Sequence, residues 1–100
     1  MVIKKKAVWD ELARAALKVA YNYIRKDSVK QAEKVKQEII EACRKLTDHP
    51  EMHPPDKFRK DNDVRFRAFE KYNYRVSYFI ADDAIRILRL RHVKQVPKEY

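Results

Sequence analysis

The side chains with the most chemistry to offer are five arginines, Arg65, Arg67, Arg75, Arg89 and Arg91, set in runs of alternating polarity. In Val64–Phe69 the apolar Val64, Phe66 and Ala68 alternate with Arg65, Arg67 and Phe69. In Tyr74–Ile80 the residues Tyr74, Val76, Tyr78 and Ile80 alternate with Arg75, Ser77 and Phe79. A strand sends successive side chains to opposite faces, so if the first member of each alternation faces a core, the arginines face out. The last run, Ile85–Val93, changes parity: Ile85 and Ile87 share one, Leu88 and Leu90 the other. A bulge near Ile87–Leu88 would hold all four inside and turn Arg89 and Arg91 outward. The expectation is one open face bearing five guanidiniums, with no acid between Ile85 and Lys98 to relieve them. Like charges so placed repel, and a bound polyanion relieves the repulsion. The planar guanidinium fork suits phosphate or a developing oxyanion better than an ammonium does. The plainer alternative is the ordinary charged wet side of an alternating sheet. His92 shares the parity of Leu88 and Leu90, so it leans inward, as a half-buried histidine or a ligand-binding one.

These runs need a scaffold. The stretch YRVSYFIADDAIRILRLRHV reads as two strands joined at Asp82–Asp83, since Asp tolerates turn dihedrals. Upstream, Val2–Val8 is a short strand with a basic run at Lys4–Lys6, a device that also discourages edge pairing. Asp10 is placed to cap a helix in which Leu12, Ala16, Leu17, Ala20, Tyr21 and Ile24 recur at helical spacing. Ser28 followed by Gln31 opens a second helix, with Val29, Ala32, Val35, Ile39, Cys43 and Leu46 on one side. Glu41 stands four residues before Lys45, the favourable order for an ion pair. Prolines in TDHPEMHPPD, residues 47–56, end that helix. Lys57–Asp63 reads as a surface lead-in, and Glu70–Asn73 as a polar link in which Asn73 suits a left-handed turn. The order is β–α–α–β–β–β: an α+β domain spanning 1–100, with two antiparallel helices on one face of a small, mainly antiparallel sheet. The other face stays open, which antiparallel sheets tolerate.

Composition narrows the function. The net charge is +9 in 100 residues, which favours an acidic partner: nucleic acid, an anionic surface or an acidic protein. There is no glycine, and phosphate-cradling loops and dinucleotide turns need backbone that only glycine permits. A nucleotide-dependent enzyme is therefore not expected, nor any cofactor. His49 and His53 are separated by Pro50, which keeps them off a common helix, so no metal site is expected. Cys43 is single and falls on an apolar helix face, consistent with a buried hydrophobe in a reducing cytoplasm. No apolar run is long enough to span a membrane, and the start MVIKKKAVW lacks the apolar stretch of a signal peptide.

The run YRVSYFIADDAIRILRLRHVKQVPKEY, behind two helices and a basic strand, resembles the RelE/ParE superfamily of bacterial toxins. The likeness extends over nearly the whole chain. It implies the toxic half of a type II toxin–antitoxin pair, masked by a cognate antitoxin encoded alongside. One branch cleaves messenger RNA on the ribosome without a metal, using the 2′-hydroxyl as nucleophile. The other, the ParE branch, poisons DNA gyrase and is not a nuclease. On the nuclease pattern Arg65 and Arg67 match the paired basic residues of the strand before the hairpin, and Arg75 after Tyr74 matches the transition-state arginine. Arg91 or Lys94 matches the basic residue beyond the last strand, and Tyr100 the tyrosine that stacks on a base. The pattern's general base is a lysine, whereas both positions here hold arginine, which stays protonated near neutral pH.

Two readings follow. In the first, an mRNA interferase, Arg65, Arg67 and Arg75 hold the scissile phosphate, Arg91 or Lys94 protonates the leaving oxygen, Tyr100 stacks on a base, and Arg89 and His92 contribute to binding. In the second, arginine in place of lysine marks a non-enzymatic inhibitor of gyrase.

Overall fold

The structure, a computed structural model, describes residues 5–60 and 64–94. The elements run β1 (Lys6–Trp9), α1 (Glu11–Arg25), α2 (Val29–Lys45), β2 (Phe66–Lys71), β3 (Tyr74–Ile80) and β4 (Ala84–His92). The order is the expected β–α–α–β–β–β, and both helices lie on one face of a four-stranded sheet ordered β1-β4-β3-β2. The β1–β4 pair is parallel and the other two pairs are antiparallel. The first residues of the expected Val2–Val8 strand, Val2 to Lys4, lie outside the described residues, as do Tyr100 and the end of the Lys57–Asp63 stretch.

Local signals account for the helix starts. The Ser28 hydroxyl accepts the Gln31 amide hydrogen at 3.1 Å and caps α2. Asp10 sits at the N-cap of α1 in extended backbone, but its carboxylate makes no capping bond. It accepts instead from Arg86 at 2.7 Å and ties the start of α1 to β4. Glu41 pairs with Arg44, one turn away, rather than with Lys45. The shorter spacing lets the carboxylate accept two bonds from one guanidinium, which holds its pKa below the usual carboxylate range.

The core lies between helices and sheet. Leu17 and Ala20 of α1 and Val35, Ile39 and Cys43 of α2 meet Val76 and Tyr78 of β3 and Ile85, Ile87 and Leu90 of β4. Burial alone pushes the Cys43 thiol up to about 12, so it packs as a hydrophobe. Tyr78 is fully buried, and its hydroxyl donates to the Pro50 carbonyl at 2.8 Å. The bulge occurs where the change of parity in β4 requires it. Ser77 pairs with Arg89 but Tyr78 with Ile87, so Leu88 is the extra residue. Ile85, Ile87 and Leu90 enter the core, while Leu88 is half-buried and outside it.

The β2 strand departs from expectation. The polar link is shorter than Glu70–Asn73: Lys71 pairs with Tyr74, leaving Tyr72 and Asn73 as a two-residue turn. Their φ values are 51° and 65°, as a type I′ turn requires at both central positions. That turn fixes the register, with Phe69 opposite Val76 and Phe66 opposite Phe79. Residues directly opposite share a face. Phe69 is therefore in the core, and Phe66 and Ala68 lie on the side away from the helices, the reverse of the assignment made from alternation.

Candidate functional site

The same register decides where the arginines go. Arg67 pairs with Tyr78 and so belongs to the helix side of the sheet. Its guanidinium donates to the carbonyls of Val64 at 3.0 Å and His53 at 2.7 Å, and so binds the proline-containing loop to the strand. Val64 holds φ 69°, a left-handed setting that a β-branched residue seldom takes, and the bond to its carbonyl helps keep it there. The expectation that Arg67 faces outward beside Arg75 is thus corrected by one residue of register.

Arg75 is on the open side, but it is only 8% exposed. Its cross-strand neighbours are Glu70 on β2 and Arg91 on β4. Two guanidiniums opposite each other repel, and two carboxylates offset this. Asp56, whose side chain has no exposure, meets Arg75 at 2.8 Å, and Glu70 meets it at 3.4 Å. Asp56 reaches this position because residues 54–60 form a strap over the sheet. The Asp56 amide donates to the Phe66 carbonyl at 2.7 Å, Pro55 bridges to Arg67, and the Asp56 carboxylate also accepts from the Phe58 amide at 3.0 Å. Ala68 and Ser77, on the strap side of the sheet, are buried as well. The expected surface lead-in beginning at Lys57 is in this part a cover.

Aromatic rings take up much of the remaining positive charge. The Phe58 ring lies 4.8 Å from the Arg75 guanidinium and 5.2 Å from that of Arg91. Arg59 stacks on Phe66 at 3.9 Å, Arg65 lies 5.3 Å from Phe79, and Phe66 and Phe79 stack on each other at 4.6 Å. A cation over a ring face is stabilised by about 0.5–2 kcal/mol, so the rings help hold these arginines in defined places. The open face is a layer of rings and guanidiniums partly closed by the chain.

Of the residues singled out from sequence, Arg75 and Arg91 are brought together and Arg89 shares their face opposite Ser77. Arg65 is exposed at the edge of β2, and Arg67 is on the other side. Lys94 is exposed just past β4, and its amide donates to Nδ1 of His92 at 3.1 Å. His92 is half-buried, edge-on to Tyr74 at 5.2 Å. Asp56, Phe58, Arg59 and Glu70 are the members that alternation does not reveal. The one cue is that Asp56, an acid, follows two prolines and stands two residues before an aromatic, Phe58. His53 stacks on Phe69 at 4.7 Å, and burial lowers its pKa. No group of three metal-ligating side chains occurs among the described residues.

Residues 7–97 match the family described as the ParE toxin of type II toxin-antitoxin system, parDE. The chain belongs to that family, and it is the toxin member of a type II toxin–antitoxin pair. Solved structures share the fold. The chromosomal ParDE system from P. aeruginosa is 20% identical with a TM-score of 0.69, covering 89% of this chain and 96% of that one. The RelBE2 toxin–antitoxin complex from Mycobacterium tuberculosis is 17% identical with a TM-score of 0.62, covering 92% and 94%. The YoeB dimer from Staphylococcus aureus is 13% identical with a TM-score of 0.57, covering 90% and 98%. No curated protein sequence gives a match. No helix among the described residues is long and apolar enough to cross a membrane.

Proposed function

We propose that this toxin acts by binding DNA gyrase, as the ParE branch it resembles does, and carries out no RNA chemistry. The observation that carries this reading is the state of Arg75: buried, paired with Asp56 and Glu70, and lying against Phe58. An arginine that is to stabilise a phosphorane must reach the phosphate and hold an unbalanced positive charge there. Arg75 does neither, because two carboxylates already neutralise it. A base is lacking too. Arginine stands at both paired positions, and Arg67 donates into backbone carbonyls. A net charge of +9 suits docking on an acidic protein surface.

The interferase reading draws on Arg89, Arg91, Lys94 and Tyr100, the basic and aromatic residues of the last strand and the segment after it. The two readings part in one experiment. Purified toxin is added to gyrase supercoiling reactions, and transcripts are mapped by primer extension after brief induction in cells. Gyrase inhibition with intact transcripts is expected. New ribosome-dependent 5′ ends with normal supercoiling would reverse the assignment.

A further inference from the structure

A cleft lies where both helices meet the opening strand. Its volume is about 600 Å³, and its apolar lining comes from three elements: Trp9 of β1, Leu17 and Tyr21 of α1, and Ile40 of α2. Leu17 belongs to the core, and Trp9 and Ile40 pack half-buried against it, so the fold itself fixes this lining. Three cations stand around it: Arg14 and Lys18, one turn apart on α1, and Lys36 on α2, which lies over the Tyr21 ring at 5.3 Å. No carboxylate lines the cleft. The acids beside these residues are engaged elsewhere: Glu33 accepts from the Tyr21 hydroxyl at 2.8 Å, and Asp10 accepts from Arg86. Arg14 and Lys18 are exposed and form no ion pair among the described residues.

We infer that this cleft binds a small organic anion with an aromatic body, of the aryl carboxylate or sulfonate class. The inference is independent of the target the toxin poisons. The volume falls within the ~300–1,000 Å³ of small-molecule sites, which pair a mostly apolar lining with a few placed polar groups. Trp9 and Tyr21 give a flat ligand ring partners to pack against, and Arg14, Lys18 and Lys36 give its charge a counterpart. A wholly apolar ligand would leave the cations unanswered. A bare inorganic anion would leave Trp9, Leu17 and Ile40 uncovered. At about 100° per residue, Arg14, Leu17, Lys18 and Tyr21 share one side of α1. A separate groove, lined by Val19, Leu90 and Lys94 among others, lies on the other side of that helix.

The test uses the full chain and two probes with the same rings. One is 8-anilinonaphthalene-1-sulfonate; the other, N-phenyl-1-naphthylamine, lacks the sulfonate. Trp9 is the only tryptophan, so energy transfer from it to the dye follows binding. The sulfonate is expected to bind one to one and at least fivefold more tightly than the neutral amine. Arg14→Glu with Lys18→Glu should weaken the sulfonate at least tenfold and change the amine less than twofold. Both positions are exposed, so thermal melting should stay near the wild type. The neutral pair Arg14→Gln, Lys18→Gln, with an expected loss of at least threefold, replaces the reversal if two new acids unsettle the helix. Lys94→Glu, in the other groove, should leave sulfonate affinity within twofold. Equal affinity for the two probes would overturn the inference, as would sulfonate binding that withstands both charge changes on α1 or falls tenfold with Lys94→Glu. So would sedimentation showing a toxin dimer that the dye dissociates, since a second copy would then be the occupant. Dye binding is read without gyrase or RNA, so it stands apart from the outcome of the supercoiling and primer-extension assays.

Discussion

Replacing Asp56 by Asn removes one negative charge and almost no volume. The amide oxygen can still accept from the Phe58 amide, so the strap's turn is preserved and the change isolates the ion pair with Arg75. Breaking a buried pair from one side costs about 3–5 kcal/mol, because the other charge stays buried without compensation. Here Glu70 remains at 3.4 Å, but its side chain is 56% exposed and screened by water. A net loss of about 2–4 kcal/mol is therefore expected, a large share of the ~5–15 kcal/mol typical of a domain. At about 4–8 °C per kcal/mol for a chain of this size, melting should fall by at least ~8 °C. Urea unfolding followed by far-UV circular dichroism gives the free energy. The double variant Asp56→Asn, Arg75→Met then checks the cause. Without the stranded guanidinium it should be more stable than Asp56→Asn alone, which simple loss of packing would not produce. A single variant that unfolds within about 0.5 kcal/mol of wild type would refute the account of Arg75 as a neutralised, structural residue.

Three further outcomes follow from the fold. Tyr78→Phe strips the Pro50 carbonyl of its donor and should cost about 1–2 kcal/mol in urea unfolding, with no change in secondary structure. Asn73→Gly relieves a left-handed position and gives the turn its preferred second residue, so it should raise stability by several tenths of a kcal/mol to about 1 kcal/mol. His53 is held below its ordinary pKa of 6.5 by burial. Between that value and its lowered folded one, the unfolded chain binds more protons, so stability should fall as pH drops below 6.5. His53→Phe should flatten that slope while retaining a ring against Phe69, as pH-dependent unfolding would reveal.

What could be read from the chain was local. Ser28 with Gln31, the helical spacing from Leu12 to Ile24, the Asp82–Asp83 link and the change of parity at Ile87–Leu88 all specify their own neighbourhoods, and each has its place in the structure. The side of β2 was not local. Val64, Phe66 and Ala68 alternate as convincingly as Arg67 and Phe69 do, and only pairing with β3 through a two-residue turn chooses between them. A single residue of register carried Arg67 to the opposite face. The strap was less legible still. Asp56 meets Arg75 across 19 residues, and nothing near either one in sequence announces the other. Charge spotted by counting is therefore not charge available for work; partners from distant segments decide that.

The place of β4 has a consequence for how the molecule comes into being. It is made last of the strands yet sits inside the sheet, with Lys6 aligned to Ala84 on one side and the hairpin on the other. Until Ala84–His92 leaves the ribosome, the opening strand with its helices and the β2–β3 hairpin share no sheet, and α1 has α2 but not the strand it packs against. A chain cut short before that point is two unjoined parts, and the sheet is joined only once β4 itself has been made.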